Sequence, residues 1–159
     1  MNVEEFAEWL RSTNHANPGT NTFYSPVRDD AVNNWIKGHT GYGLPLDLLR
    51  LWRISNGLGI AQEWFEGEPL FPDGWGAYCI YPLEGLKRLD LDMYGKKETT
   101  GRFKRLMSFG RGPDLTVYFA FDVRTLDFLY INPIVPDEAV NVGPKIDAIL
   151  DRIVSWKST

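Results

Sequence analysis

The sequence predicts an α+β fold, with helices first, then a mainly antiparallel sheet of about four or more strands, then a closing helix. Three observations carry this. Apolar residues recur at helical spacing up to about residue 54, alternate between residues 77 and 131, and return to helical spacing after Pro144. No repeat or low-complexity linker divides the chain, so residues 1–159 read as a single domain.

Residues 3–11 place Val3, Phe6, Trp9 and Leu10 on one helical face and Glu4, Glu5 and Glu8 on the other. The polar run 12–24 reads as a loop. Ser25-Pro26 can start a second helix, hydroxyl as cap and proline in the first turn, burying Val27, Val32, Trp35 and Ile36 and ending before Gly38. The third helix is the clearest. Pro45 suits a first helical position, Asp47 complements the dipole, Leu48, Leu51 and Trp52 form the apolar stripe, and Asn56-Gly57 supplies a left-handed stop.

Beyond it, 77–81 reads as a strand stopped by Pro82, and 83–89 as one or two helical turns. Residues 106–109 read as a second strand and 110–114 as a turn by composition. In 116–121, Val117, Phe119 and Phe121 share one face with Tyr118 on the other, and 122–127 turns the chain into a strand at 128–131. In the last segment Ile146, Ile149, Leu150, Ile153 and Trp156 make one buried helical stripe.

Composition excludes several function classes. With 21 acids against 17 bases the net charge is −4, so a basic footprint for nucleic acid over the whole domain is lacking. No apolar run approaches the ~20 residues a membrane helix needs, and the acidic N-terminus is no secretory signal. Cys79 is the single cysteine, so neither an internal disulfide nor a thiolate cluster can form. The cytoplasm is the expected compartment.

Three segments, in order, resemble the SUKH superfamily, which includes the Smi/Knr-type regulators. They are Leu44-Pro45…Leu48…Trp52…Asn56-Gly57, then Tyr78-Cys79-Ile80-Tyr81-Pro82-Leu83-Glu84-Gly85-Leu86, then Met107-Ser108-Phe109-Gly110…Tyr118-Phe119-Ala120-Phe121-Asp122. The likeness covers about residues 26–154. It leaves out 1–24, and 58–76 is an unusually aromatic and acidic insert. The resemblance implies a sheet backed by helices and a noncovalent role as a bacterial immunity protein that neutralises a cognate polymorphic toxin. A scaffold-like regulatory module of the same fold is the alternative that the resemblance also allows.

Reactive chemistry is sparsely signalled. His15 and His39 stand 24 positions apart without nearby ligands, whereas a zinc site needs three or four, so no metal or other cofactor is expected. Cys79 has no basic neighbour to lower its pKa and reads as a buried structural thiol. No nucleophile elbow or phosphate loop is present, so no catalytic residue is assigned. Paired carboxylates, Asp90 with Asp92 and Glu66 with Glu68, leave a small carboxylate-dependent hydrolase as an alternative. Each pair sits in polar context and reads as solvated. Asp114 and Asp122 read as turn caps.

Charge distribution is the most informative feature. From Ile54 to Leu86 there is no Lys or Arg, while the stretch carries the acids Glu63, Glu66, Glu68, Asp73 and Glu84 and the aromatics Trp64, Phe65, Phe71, Trp75, Tyr78 and Tyr81. Lys87 to Arg111 then carries eight bases against three acids. The acidic stretch reads either as a partner-binding surface or as a loop folded over the core. On the first reading Glu63, Trp64, Phe65, Glu66, Glu68, Asp73 and Trp75 bind, with Trp64 and Trp75 as anchors. A protein toxin, for instance a nuclease with a basic cleft, would suit such a surface. For the basic stretch, solvated lysines stand against an anionic partner.

Overall fold

The computed structural model describes residues 1–70, 75–113 and 116–158, with residues 157 and 158 described by backbone alone. Phe71, Asp73 and Asp114 therefore lie outside the described residues. The architecture is α+β as expected, a large antiparallel sheet with helices from both ends of the chain.

Helix α1 spans Val3–Ala16, well past the expected end at residue 11. Thr13 Oγ1 donates to the Trp9 carbonyl, and the Asn14 side chain donates to the Asn21 carbonyl and accepts from the Asn21 amide. These bonds carry weak helix formers through another turn, since tertiary contacts override propensity. The chain then enters β1, Thr22–Phe23, within the expected loop.

Helix α2, Asp29–Gly38, starts later than Ser25-Pro26 suggests and buries none of its residues. The backbone before it is already engaged: Val27 donates to the Trp52 carbonyl, and Asn56 donates to that of Ser25. Val27 is buried in this extended stretch, Val32 and Trp35 are half-buried, and Ile36 is exposed. Helix α3, Leu46–Ile54, buries Leu48, Leu51 and Trp52 as expected, although Pro45 takes the cap position rather than the first helical one. Ser55 is extended, and the left-handed Gly57, at φ 100°, turns the chain into β2, Leu58–Ile60.

A small hairpin follows, β3 Trp64–Phe65 and β4 Glu68–Pro69, forming its own two-stranded sheet. Next comes β5, Tyr78–Ile80. The expected helical turns at 83–89 are a 3-10 turn at Leu83–Gly85 and a short strand β6, Lys87–Arg88. A helix α4, Leu89–Tyr94, follows, ended by left-handed Gly95. Strand β7 runs Leu106–Arg111, so Gly110 and Arg111 are sheet residues and not a turn. The glycine is there for approach: a Cβ at position 110 would lie 2.5 Å from the Cys79 carbonyl oxygen. Strands β8, Tyr118–Asp122, and β9, Phe128–Ile131, form the expected hairpin. The stretch read only as a lead-in to the last helix contains a further strand, β10 Val140–Gly143, before α5, Asp147–Ser158.

Among the described residues the main sheet runs β1-β2-β5-β7-β8-β9-β10, and β6 pairs with β7 on the same edge as β5. All pairings are antiparallel. One face packs Leu58, Ile60, Ile80, Phe109, Phe119, Phe121 and Phe128 against α1, α3 and α5. On the other face Leu89 of α4 and Phe103 cover Tyr118, Ala120, Leu129 and Ile131. Period-two alternation in β8 divides its side chains between these two layers, and all five residues are buried. Asp47 ties helices together, pairing with Arg50 and accepting from the Ile146 amide at 3.0 Å.

Candidate partner-binding surface

The hairpin owes its projection to the residues that anchor its base. Asn21, buried under α1, donates through Nδ2 to the Leu10 carbonyl and accepts from the Ala61 amide at Oδ1, both at 3.0 Å. Ala61 has φ 61°, and the next amide, Gln62, donates to the Thr20 carbonyl. The chain thus leaves β2 at a fixed angle. Leu70 donates to Glu63 at 2.7 Å and closes the ladder, with Trp64 opposite Pro69 and Phe65 opposite Glu68.

At the tip, Glu66 and Gly67 both have positive φ, 52° and 83°. That is the signature of a tight two-residue turn whose twist suits a hairpin. Alternation then sends the two aromatics to opposite sides. The Trp64 ring rests over Gly19, where a Cβ would approach it to 3.1 Å, yet Trp64 stays 54% exposed and Phe65 69%. Leu70 is also exposed, as are Glu63, Glu66 and Glu68. Five of the seven expected binding residues therefore share one projecting element.

Trp75 is not part of it. Its ring stacks on Tyr81, centroids 5.3 Å apart, and the Arg111 guanidinium lies 5.8 Å from its centroid. Trp75 is half-buried on the sheet, apart from the hairpin that carries Trp64. Asp73 lies outside the described residues. Tyr78 and Tyr81 are core residues, and Glu84 accepts hydrogen bonds from the Asn56 side chain.

The carboxylates Asp90 and Asp92, expected to be solvated, are instead enclosed. Asp90 is wholly buried and Asp92 keeps 5% side-chain exposure. Burial would raise the Asp90 pKa, but the Glu98 amide, the two-pronged Arg88 guanidinium and the Leu91 amide hold it below the ordinary range. A carboxyl so filled with donors anchors the start of α4. Asp92 accepts from Tyr81 Oη at 2.7 Å and Ser108 Oγ at 2.6 Å, with Lys87 at 3.7 Å. Burial, reinforced by the Asp92 carboxylate, pushes the Tyr81 phenol far above its usual range. The composition around these aspartates is polar, and only their tertiary partners distinguish a filled pocket from solvent.

Asp122 caps its turn as expected, accepting from the Arg124 and Thr125 amides, and pairs with Arg105. Cys79 is buried. His39 Nδ1 lies 2.7 Å from the Trp35 carbonyl, and its ring stacks on Trp35 at 4.0 Å. Among the described residues no three His, Cys, Asp or Glu side chains converge as metal ligands, and no helix is long and apolar enough to cross a membrane. In comparisons with known proteins, no family model matches the chain and no curated protein matches it.

Proposed function

We propose that this protein is a binding protein of the immunity type, which neutralises a toxin by covering part of its surface without making or breaking a bond. The observation that carries the reading is the Trp64–Pro69 hairpin, an exposed pair of aromatics framed by Glu63, Glu66 and Glu68 in a stretch without bases. Aromatics at the centre of an interface supply most of its energy, and the surrounding charges select and steer the partner. A basic protein surface with an apolar recess is the complement, and the cleft of a nuclease toxin has that chemistry. The likeness of residues 26–154 to SUKH immunity proteins supports the same reading.

The test is rescue. Cells expressing the toxin encoded beside this gene should survive when the protein is co-expressed. Trp64→Ala with Phe65→Ala should abolish survival while leaving the purified protein folded. Full rescue by that double variant would refute the hairpin's role. Failure of the unaltered protein to rescue from any neighbouring toxin would refute the immunity reading.

A further inference from the structure

A second apolar surface lies where the end of α4 meets the connection after β9, and the stretch that follows α4 is basic where the hairpin is acidic. Tyr94 Oη donates to the Pro133 carbonyl at 2.9 Å, which joins the end of α4 to the β9–β10 connection. Around this junction Leu91, Tyr94, Ile134 and Val135 are exposed, Ile134 by 84%. Leu91 and Tyr94 are three apart on α4 and therefore share a face.

The adjoining stretch 94–105 holds five bases, Lys96, Lys97, Arg102, Lys104 and Arg105, against one acid, Glu98. Arg102 bridges Glu98 and Asp137, and Arg105 pairs with Asp122, so these two are balanced locally. Lys96, Lys97 and Lys104 stand exposed in this stretch, against the exposed Glu138 in the connection itself.

The sheet order sets the geometry. The hairpin follows β2, next to the edge strand β1, whereas α4 packs on β6 and β7 and is tied through Tyr94 to the connection that follows β9. Strands are spaced about 4.8 Å apart, so β2 and β9, from which the hairpin and the Ile134 connection leave, lie roughly 20 Å apart. Each surface carries exposed apolar residues, one framed in acid and one in base. We infer that the occupant of the basic patch is the hairpin of a second copy of this chain. Such a contact joins unlike surfaces, so it is head-to-tail and adds copies beyond two, as a ring or an open chain.

This goes beyond the proposed toxin binding and does not need it. Its consequence is competition, since a toxin that takes the hairpin would disperse the assembly.

Light scattering after size exclusion, on the purified chain alone, tests the contact. The mass should rise above 18.2 kDa with concentration at 0.1 M salt. It should fall back at 1 M, where the screening length drops from about 10 to about 3 Å. Two charge-reversed variants separate the surfaces, Glu66→Lys with Glu68→Lys on the hairpin and Lys96→Glu with Lys97→Glu on the patch. Each alone should stay at the mass of one chain, and an equimolar mixture, in which the reversed hairpin and the reversed patch are again complementary, should regain association. Association of either variant alone, or an equimolar mixture that stays at the mass of one chain, would overturn the head-to-tail contact. So would a monomer at every concentration, or mass growth only when vesicles of anionic lipid or single-stranded nucleic acid are added. Either of the last two would reassign the patch to that partner.

Discussion

The Trp52 indole Nε1–H donates to the Tyr81 carbonyl at 2.9 Å, a buried bond between α3 and the end of the strand that carries Tyr78–Ile80. Trp52 is fully buried in the helix-side core, and Tyr81 faces the Asp92 pocket, so one bond couples the two layers of the molecule. Trp52→Phe would orphan that carbonyl and leave part of the indole volume empty. We expect a loss of about 2–4 kcal/mol in urea unfolding, read as a lower midpoint at unchanged slope.

Asp90 sets a pH dependence. Its folded pKa is depressed, so its contribution to stability is complete above the ordinary aspartate range and disappears as pH falls through the lower folded value. Asp90→Asn should be destabilised by about 3 kcal/mol at pH 7, because the Arg88 guanidinium loses its buried partner. The gap between variant and parent should narrow steadily below about pH 4 in unfolding curves taken across the acid range.

Gly110→Ala should damage the sheet where β5 meets β7. The added methyl would lie 2.5 Å from the Cys79 oxygen and 3.3 Å from Ile80 and Phe119 side-chain carbons. The backbone must move apart to admit it. A loss of about 2–3 kcal/mol, within the range seen for overpacked cores, should appear as a fall in melting temperature of roughly 5–10 °C.

Phe65→Ala should do the reverse of these core changes. With Phe65 69% exposed, its truncation should shift unfolding free energy by no more than about 0.5 kcal/mol. Toxin affinity, measured by calorimetry, should nonetheless fall by more than tenfold if the ring is an anchor.

The legible parts of this fold were those governed by period. Leu48, Leu51 and Trp52, the alternation through Phe119 and Phe121, and the Ile146–Ile153 stripe all lie where spacing places them. What sequence left hidden depended on partners far along the chain. The last turn of α1 exists because Asn14 meets Asn21, and α2 starts late because Val27 reaches Trp52. The strands β6 and β10 are short and carry little alternation. On the candidate surface, the acids and rings of residues 63–68 were visible as composition. Their hairpin was signalled only by Glu66-Gly67, and the inward turn of Trp75 onto Tyr81 by nothing local.

The order of strands also sets an order of folding. β7, β8 and β9 follow one another in sequence, so their pairing closes only short loops, and β8 lies between them with every side chain buried. The pairing of Thr22 with Gly59 must instead close a loop of more than thirty residues. The meander around β8 should therefore nucleate the chain, with high φ-values for Phe119 and Phe121 and low ones for Leu58 and Asn21. The projecting element that stands on β2 would be among the last parts to take shape, and mutations there should speed unfolding without slowing folding.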